Sequence, residues 1–308
     1  MKIPAISVIM PCFNSEKFLK EAIESILIQT FESFEFIIIN DGSSDQTHEI
    51  ITKYRDSRIH YIRFEKNQGN YVARNKGIRV SRGRFICVMD ADDIAHSERL
   101  KIQYDFMIKH PNVGCLGSDA NIIDQDGNNI GKVSNPMFGG KKLSTYFLLD
   151  NYMLHPSLFI RKSLIIKYNL FYNTNLVYSS DYEFVCKCAS HFMVKNIKDV
   201  LMDYRRHINQ ISISNKEKQS YYANQVRINQ LEKFKLELTD QQIKVYLKLV
   251  NRKEGLVDEE LNIGLELFNT LLSKNDQMRL YPKKMLFDIF KQLLRISAAN
   301  SVFRSSNS

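Results

Sequence analysis

Phe85-Ile86-Cys87-Val88-Met89-Asp90-Ala91-Asp92-Asp93 is the stretch on which the reading of this 308-residue chain turns. Five apolar residues in a row, without alternation, read as a strand covered on both faces, and three carboxylates follow it. Carboxylates that close repel one another unless a cation or hydrogen bonds compensate them. Hard divalent cations such as Mn²⁺ or Mg²⁺ take oxygen ligands and share them between protein carboxylates and substrate phosphates. The plainer alternative is a strand-to-helix junction whose acids cap the next helix.

Working outward, Ile6 to Met10, Phe36 to Ile39 and Ile59 to Phe64 are further apolar strands, the first closed by Pro11 and the second ending at Asn40-Asp41-Gly42. Phe18, Leu19, Ala22, Ile23, Ile26 and Leu27 recur at helical spacing, with Asn14 or Ser15 as N-cap. Asp45 to Tyr54 and Tyr71 to Val80 also read as helices. Such alternation predicts an α/β fold: a Rossmann-like, mainly parallel sheet flanked by helices. Ligands of these sheets sit beyond the carboxyl ends of the strands. That rule gathers Pro11 to Asn14, Asp41 and Asp90 to Asp93 on one rim, which turns the acid cluster from a cap toward a cation site.

Further along, Ile122 to Ile130 reads as a hairpin turning at Asp126-Gly127, His155 to Ile160 as a strand, and Asp181 to Cys188 as the start of a helix. From about Asn215 the chain becomes rich in Lys, Gln, Leu and Glu, which predicts a helical C-terminal region over 215–308. Within it, Leu286, Ile289, Phe290 and Leu293 share one face of a helix, and Lys284, Asp288, Lys291 and Arg295 another. A peripheral membrane contact would use that apolar face. Packing on the rest of the chain, or in a homo-oligomer, is the commoner use of such a stripe.

Hydrophobic content of 44% and charged content of 25% are those of a globular chain rather than a disordered one. No stretch reaches the roughly 18 apolar residues of a membrane span, and no signal peptide is visible, so the expected location is cytoplasmic, with the inner membrane face as the place for any lipid contact. Cys12, Cys87, Cys115, Cys186 and Cys188 read as reduced, buried thiols. The net charge of +9 suits nucleic acid, an anionic membrane or a phosphorylated substrate. No nucleic-acid motif or basic stripe with interleaved aromatics accompanies it, so no nucleic-acid partner is expected.

Several ordered motifs together resemble one family. Ser7 to Asn14, Ile39 to Asp45, Asn67 to Ile78 and the Asp90-Ala91-Asp92-Asp93 cluster look like the successive elements of family 2 glycosyltransferases of the GT-A fold. Leu154-His155-Pro156-Ser157 and Asp203 to Ser212 are similar to later elements, so the match spans roughly residues 5 to 212. The resemblance implies a GT-A catalytic domain over 1–214, with a nucleotide-sugar half to about residue 95 and an acceptor half after it. It implies an inverting transfer from a nucleotide donor, a UDP-sugar of glucose, galactose or their N-acetyl forms, to a saccharide or lipid-linked saccharide in bacterial polysaccharide synthesis.

The resemblance also assigns roles. Pro11 and Phe13 would lie beside the base, with Asn14 close by. Asp41 would accept from the base N–H, although by residue chemistry alone it equally suits an N-cap. Arg74 would hold the nucleotide and Asp90 the ribose. Asp92, Asp93 and, through its motif, His207 would hold the Mn²⁺ or Mg²⁺ ion, with Arg205 and Arg206 adding charge for the pyrophosphate. Asp181 would be the general base, with Glu183 the next candidate; many relatives carry Glu-Asp where this chain has Ser180-Asp181. A nucleotide-sugar-binding protein without turnover is the alternative, against which the retention of both the cluster and Asp181 argues.

Overall fold

The computed structural model describes residues 3–208, 210, 215–252 and 255–305, with side chains as far as residue 299. Ser212 and the terminal 306–308 therefore lie outside the described residues. Two compact units divide the chain: one of residues 1–140 and 152–222, the other of 141–151 and 223–308.

The first unit opens with β1 (Ile6–Cys12), α1 (Leu19–Leu27), β2 (Phe34–Asn40), α2 (Thr47–Thr52), β3 (Ile59–Arg63), α3 (Asn70–Val80) and β4 (Phe85–Val88). These four strands pair in parallel in the order β3-β2-β1-β4. Every residue of β1, β2 and β4 is buried, as their mainly apolar sequences require. Leu19, Ala22, Ile23 and Ile26 of α1 belong to the same apolar cluster as Ile6, Val8 and Met10. Gly77 of α3 lies so close to β1 that a Cβ there would sit 2.5 Å from Cγ2 of Ile9.

Beyond β4 the unit contains β5 (Ile94–Ala95), α4 (Arg99–Lys109), β6 (Val113–Ile123), β7 (Asn129–Val133), β8 (Phe159–Arg161), α6 (Lys162–Lys167), α7 (Ser180–His191) and β9 (Met193–Arg205). Here α5 denotes Lys141–Tyr146 of the other unit. The sheet continues β4-β8-β6-β9-β5, with β7 paired to β6. It is mixed in this half: β8 runs antiparallel to β4 and β6, while β6 and β9 are parallel.

Three expectations change locally. Pro11 does not close β1, which runs on to Cys12. The ladder to β4 has already ended at Ile9↔Val88, so a residue without an N–H at position 11 need not leave a bond there unmade. Neither Asn14 nor Ser15 caps α1, whose N-cap is Phe18. Asn14 instead takes a left-handed conformation (φ 47°) and its side-chain oxygen accepts the N–H of Ser44 at 2.9 Å. Residues His155–Ser157 form a 3₁₀ turn and only Phe159–Arg161 is strand. The hairpin turns at Asp126-Gly127 as expected, with Gly127 at φ 87°.

The second unit joins α5 and the residues up to Asn151 to the latter part of α8 (Lys216–Leu231), α9 (Asp240–Asn251), α10 (Asp258–Met278) and α11 (Lys283–Ser305). It is helical as predicted, and it groups 223–308 with 141–151, a segment from the middle of the chain. Leu286, Ile289, Phe290 and Leu293 are all buried, and Phe290 stacks on Phe268 at 4.2 Å. The apolar stripe of this helix is therefore spent on internal packing.

Candidate active site

The carboxyl ends of the parallel strands carry the predicted residues. Asp41 follows β2, and both its oxygens accept backbone N–H groups, those of Gln68 and Gly69, at 2.8 Å each. Gly69 is the N-cap residue of α3, so Asp41 braces the approach to α3 rather than capping α2, whose Thr47 N–H donates to Asp45 Oδ1 at 3.0 Å. Burial raises the Asp41 pKa against these two donors. Each of its oxygens retains a second lone pair, the requirement for also accepting from a ligand. Phe13, just past β1, is 46% exposed and offers an open ring face, while Pro11 is buried.

Asp90, Asp92 and Asp93 place one oxygen each within 4.8 Å of one another. Their partners separate them. Asp90 is ion-paired with the buried Arg74. Asp92 accepts from His207 Nε2 at 3.0 Å. Asp93, fully buried, accepts the N–H of Arg205 at 2.9 Å through one oxygen, and its other oxygen has no partner among the described residues. Burial first, then the charges of Asp92 and Asp90, hold the Asp93 carboxyl well above the usual range. A buried oxygen left over beside two other carboxylates fits a hard cation, which would supply the missing charge.

Arg74 points from α3 into the interior. It is 2% exposed, and its Nε and Nη1 find no partner among the described residues. Buried guanidinium donors left unmade are costly, and an anionic oxygen would satisfy them. Arg205 behaves differently: its guanidinium donates to the carbonyls of Asp92, Asp124 and Gln125 and pairs with Glu21 at 2.6 Å. It is a brace under the acid cluster, not a charge free to meet a pyrophosphate. Arg206 is exposed.

Asp181 stands in the first turn of α7, after Ser179, a non-glycine residue at φ 61°. Burial raises its pKa, against the N–H of Tyr182, the Arg74 charge and the Tyr71 hydroxyl, which lies 3.4 Å from Oδ1. Glu183 is committed, accepting from Asn173 at 3.2 Å and from Lys187 at 2.8 Å. Sequence reasoning missed the aromatic bed beneath Asp181: Tyr71 stacks on Tyr172, which stacks on Phe184 and bonds His155 Nε2 at 2.8 Å. Burial and the Arg74 charge push His155 well below its ordinary pKa, so it is neutral there. Only the pairing of Tyr71 with Asp181 across 110 residues reveals this bed, and no local pattern encodes it.

Residues 7–168 match the family model described as glycosyl transferase family 2, more than half the chain. The chain belongs to this family. An uncharacterized glycosyltransferase of Methanocaldococcus jannaschii is 35% identical over 228 residues, 72% of this chain and 78% of that protein. Residues 1–349 of S. aureus TarS, solved with UDP-GlcNAc, superpose with a TM-score of 0.65 at 19% identity, covering 98% of this chain and 92% of that one. The mannosyltransferase PcManGT of Pyrobaculum calidifontis, solved with GDP-Man and Mn²⁺, gives 0.60 at 14% identity, with coverage of 99% and 88%. At such identities the likeness carries the fold, which is that of GT-A enzymes. This family 2 member is thus a glycosyltransferase.

Proposed function

We propose that the enzyme moves a hexosyl or N-acetylhexosaminyl group, with inversion, from a UDP-sugar to a hydroxyl of a saccharide or lipid-linked saccharide. The observation that carries the reading is the carboxylate triad at the end of β4 with its unpartnered Asp93 oxygen. TarS holding UDP-GlcNAc and PcManGT holding Mn²⁺ on the same fold support the donor class and the ion. In this reading Phe13 faces the base, Asp41 accepts its N–H, and Asp90, fixed by Arg74, meets the ribose. Asp92 and Asp93, with His207 behind Asp92, would hold Mn²⁺ or Mg²⁺. Such an ion, when bound, would supply positive charge for the departing diphosphate.

The remaining work falls to Asp181. The acceptor oxygen attacks the anomeric carbon, the bond from that carbon to the diphosphate breaks, and the hydroxyl proton passes to the Asp181 carboxylate. A raised pKa suits a base that must accept this proton near neutrality. Calorimetry with UDP and Mn²⁺ tests the two halves separately. Asp92→Ala should abolish Mn²⁺-dependent UDP binding. Asp181→Ala should bind UDP within about twofold of wild type and lose transfer by the roughly 10²–10⁴-fold that general-base loss costs. Full transfer by Asp181→Ala removes the base assignment; UDP binding indifferent to Mn²⁺ removes the ion.

A further inference from the structure

Three tyrosines stand just outside the chemistry so far described. Val177 and Tyr178 precede α7, and Lys218, Tyr221 and Tyr222 lie on α8; together they line a pocket of about 450 Å³. The three α8 residues are spaced i, i+3 and i+4, which puts them on one face of the helix. Tyr222 packs against Tyr178 at 5.8 Å and edge-on to Tyr221 at 5.4 Å. Tyr221 is 62% exposed and Val177 60%. The Ser179 hydroxyl, donating to the Gln219 carbonyl at 3.1 Å, ties the segment before α7 to α8. Ser179 itself holds the left-handed conformation that turns the chain between Tyr178 and Asp181.

We propose that this pocket is the acceptor subsite and that it grips a pyranose ring of the acceptor saccharide between Tyr178, Tyr221 and Tyr222. The inference rests on the transferase reading above and adds to it the part of the acceptor that is recognised. A pyranose presents polarised C–H bonds on its faces, which complement the negative face of an aromatic ring. Its equatorial hydroxyls point outward, where tyrosine hydroxyls and the Lys218 ammonium can meet them. A pocket in the usual ligand-binding size range with apolar walls and a few polar tips suits such a ligand. Reach agrees as well. Tyr178 is three residues from Asp181, so their Cα atoms are at most about 11 Å apart.

Binding to a glycan array of lipid-free mono- to tetrasaccharides of glucose, galactose and their N-acetyl forms, with the enzyme saturated in UDP and Mn²⁺, tests this. Wild type should retain a defined set of glycans. Tyr221→Ala and Tyr222→Ala should each weaken that retention at least tenfold, with Tyr221→Phe retaining most of it. UDP affinity by calorimetry should stay within about twofold in all three, which separates failure here from failure of the donor reading. The proposal is overturned if wild type retains no saccharide, if the alanine variants retain the same glycans, or if their effect is instead a change of oligomeric mass in light scattering.

Discussion

Asp181 shows how a catalytic assignment also predicts stability. Burial raises its folded pKa above the ordinary carboxylate value. Between those two values the folded protein binds more protons than the unfolded chain, so stability falls as pH rises through that window. Above it both states are ionised and the cost is present in full. Asp181→Asn removes the charge, and at pH 7 it should raise the unfolding midpoint by a few degrees, the displacement about 1 kcal/mol produces in a domain of this size. Below pH 3.8, the carboxylate's ordinary value, the gain should vanish. Thermal melts of both proteins from pH 3.5 to 8 check this, and a gain independent of pH would point to a packing effect instead. A stabilised variant that no longer transfers is the expected signature of a strained functional group.

At the scale of elements, the loops at the strand ends matter more than the strands. Gly42 follows Asp41 at φ 72°, and a Cβ there would sit 2.5 Å from the Lys66 carbonyl carbon, which is backbone and cannot rotate away. Gly127, in the hairpin at φ 87°, has nothing within 4 Å of its added Cβ. Both alanine variants suffer the left-handed penalty of about 1–2 kcal/mol. Only Gly42→Ala must also push residues 66–67 aside, next to the Gln68 and Gly69 N–H groups that Asp41 holds. Gly42→Ala should therefore lose UDP affinity at least tenfold, and Gly127→Ala should keep it; equal affinities would detach this loop from the nucleotide site. The same contrast explains what the sequence could reveal. Strands β1, β2 and β4 are mainly apolar, with Ser7, Glu35 and the terminal Asn40 as their polar members, and their ends located the Asp41 and Asp90–Asp93 rim. Strand β9 alternates buried Val194 and Asn196 with Lys195 and carries exposed Lys198 and Asp199, while β6 contains Gly114, Gly117, Ser118 and Asp119. Their burial depends on pairing with each other, which no local pattern encodes. The Tyr71–Asp181 and Arg205–Asp92 contacts were hidden for the same reason.

At the scale of the whole molecule, the C-terminal helices have a task that the sequence concealed. Leu143, Phe147 and Leu148 are almost wholly buried, yet they belong to a segment the chain inserts between two parts of the catalytic unit. Residues after 223 hold that segment: Arg227 Nε donates to the Leu149 carbonyl at 2.6 Å, Tyr246 to the Leu148 carbonyl, and Lys141 to the Arg279 carbonyl at 2.6 Å. Among the described residues no helix is long and apolar enough to cross a membrane, and the stripe Leu286, Ile289, Phe290 and Leu293 is already covered. Removing residues 223–308 should therefore not yield a clean catalytic domain. It should expose Leu143, Phe147 and Leu148 together, each having contributed about 1.5–3 kcal/mol of burial, and produce a protein that binds the dye ANS and aggregates. Replacing those three by Ser, Ser and Gln in the truncated chain should restore a monomer in size-exclusion chromatography. If the unmodified 1–222 fragment is monomeric and dye-silent, the helices are an accessory, and their tie to the inserted segment carries no weight in folding.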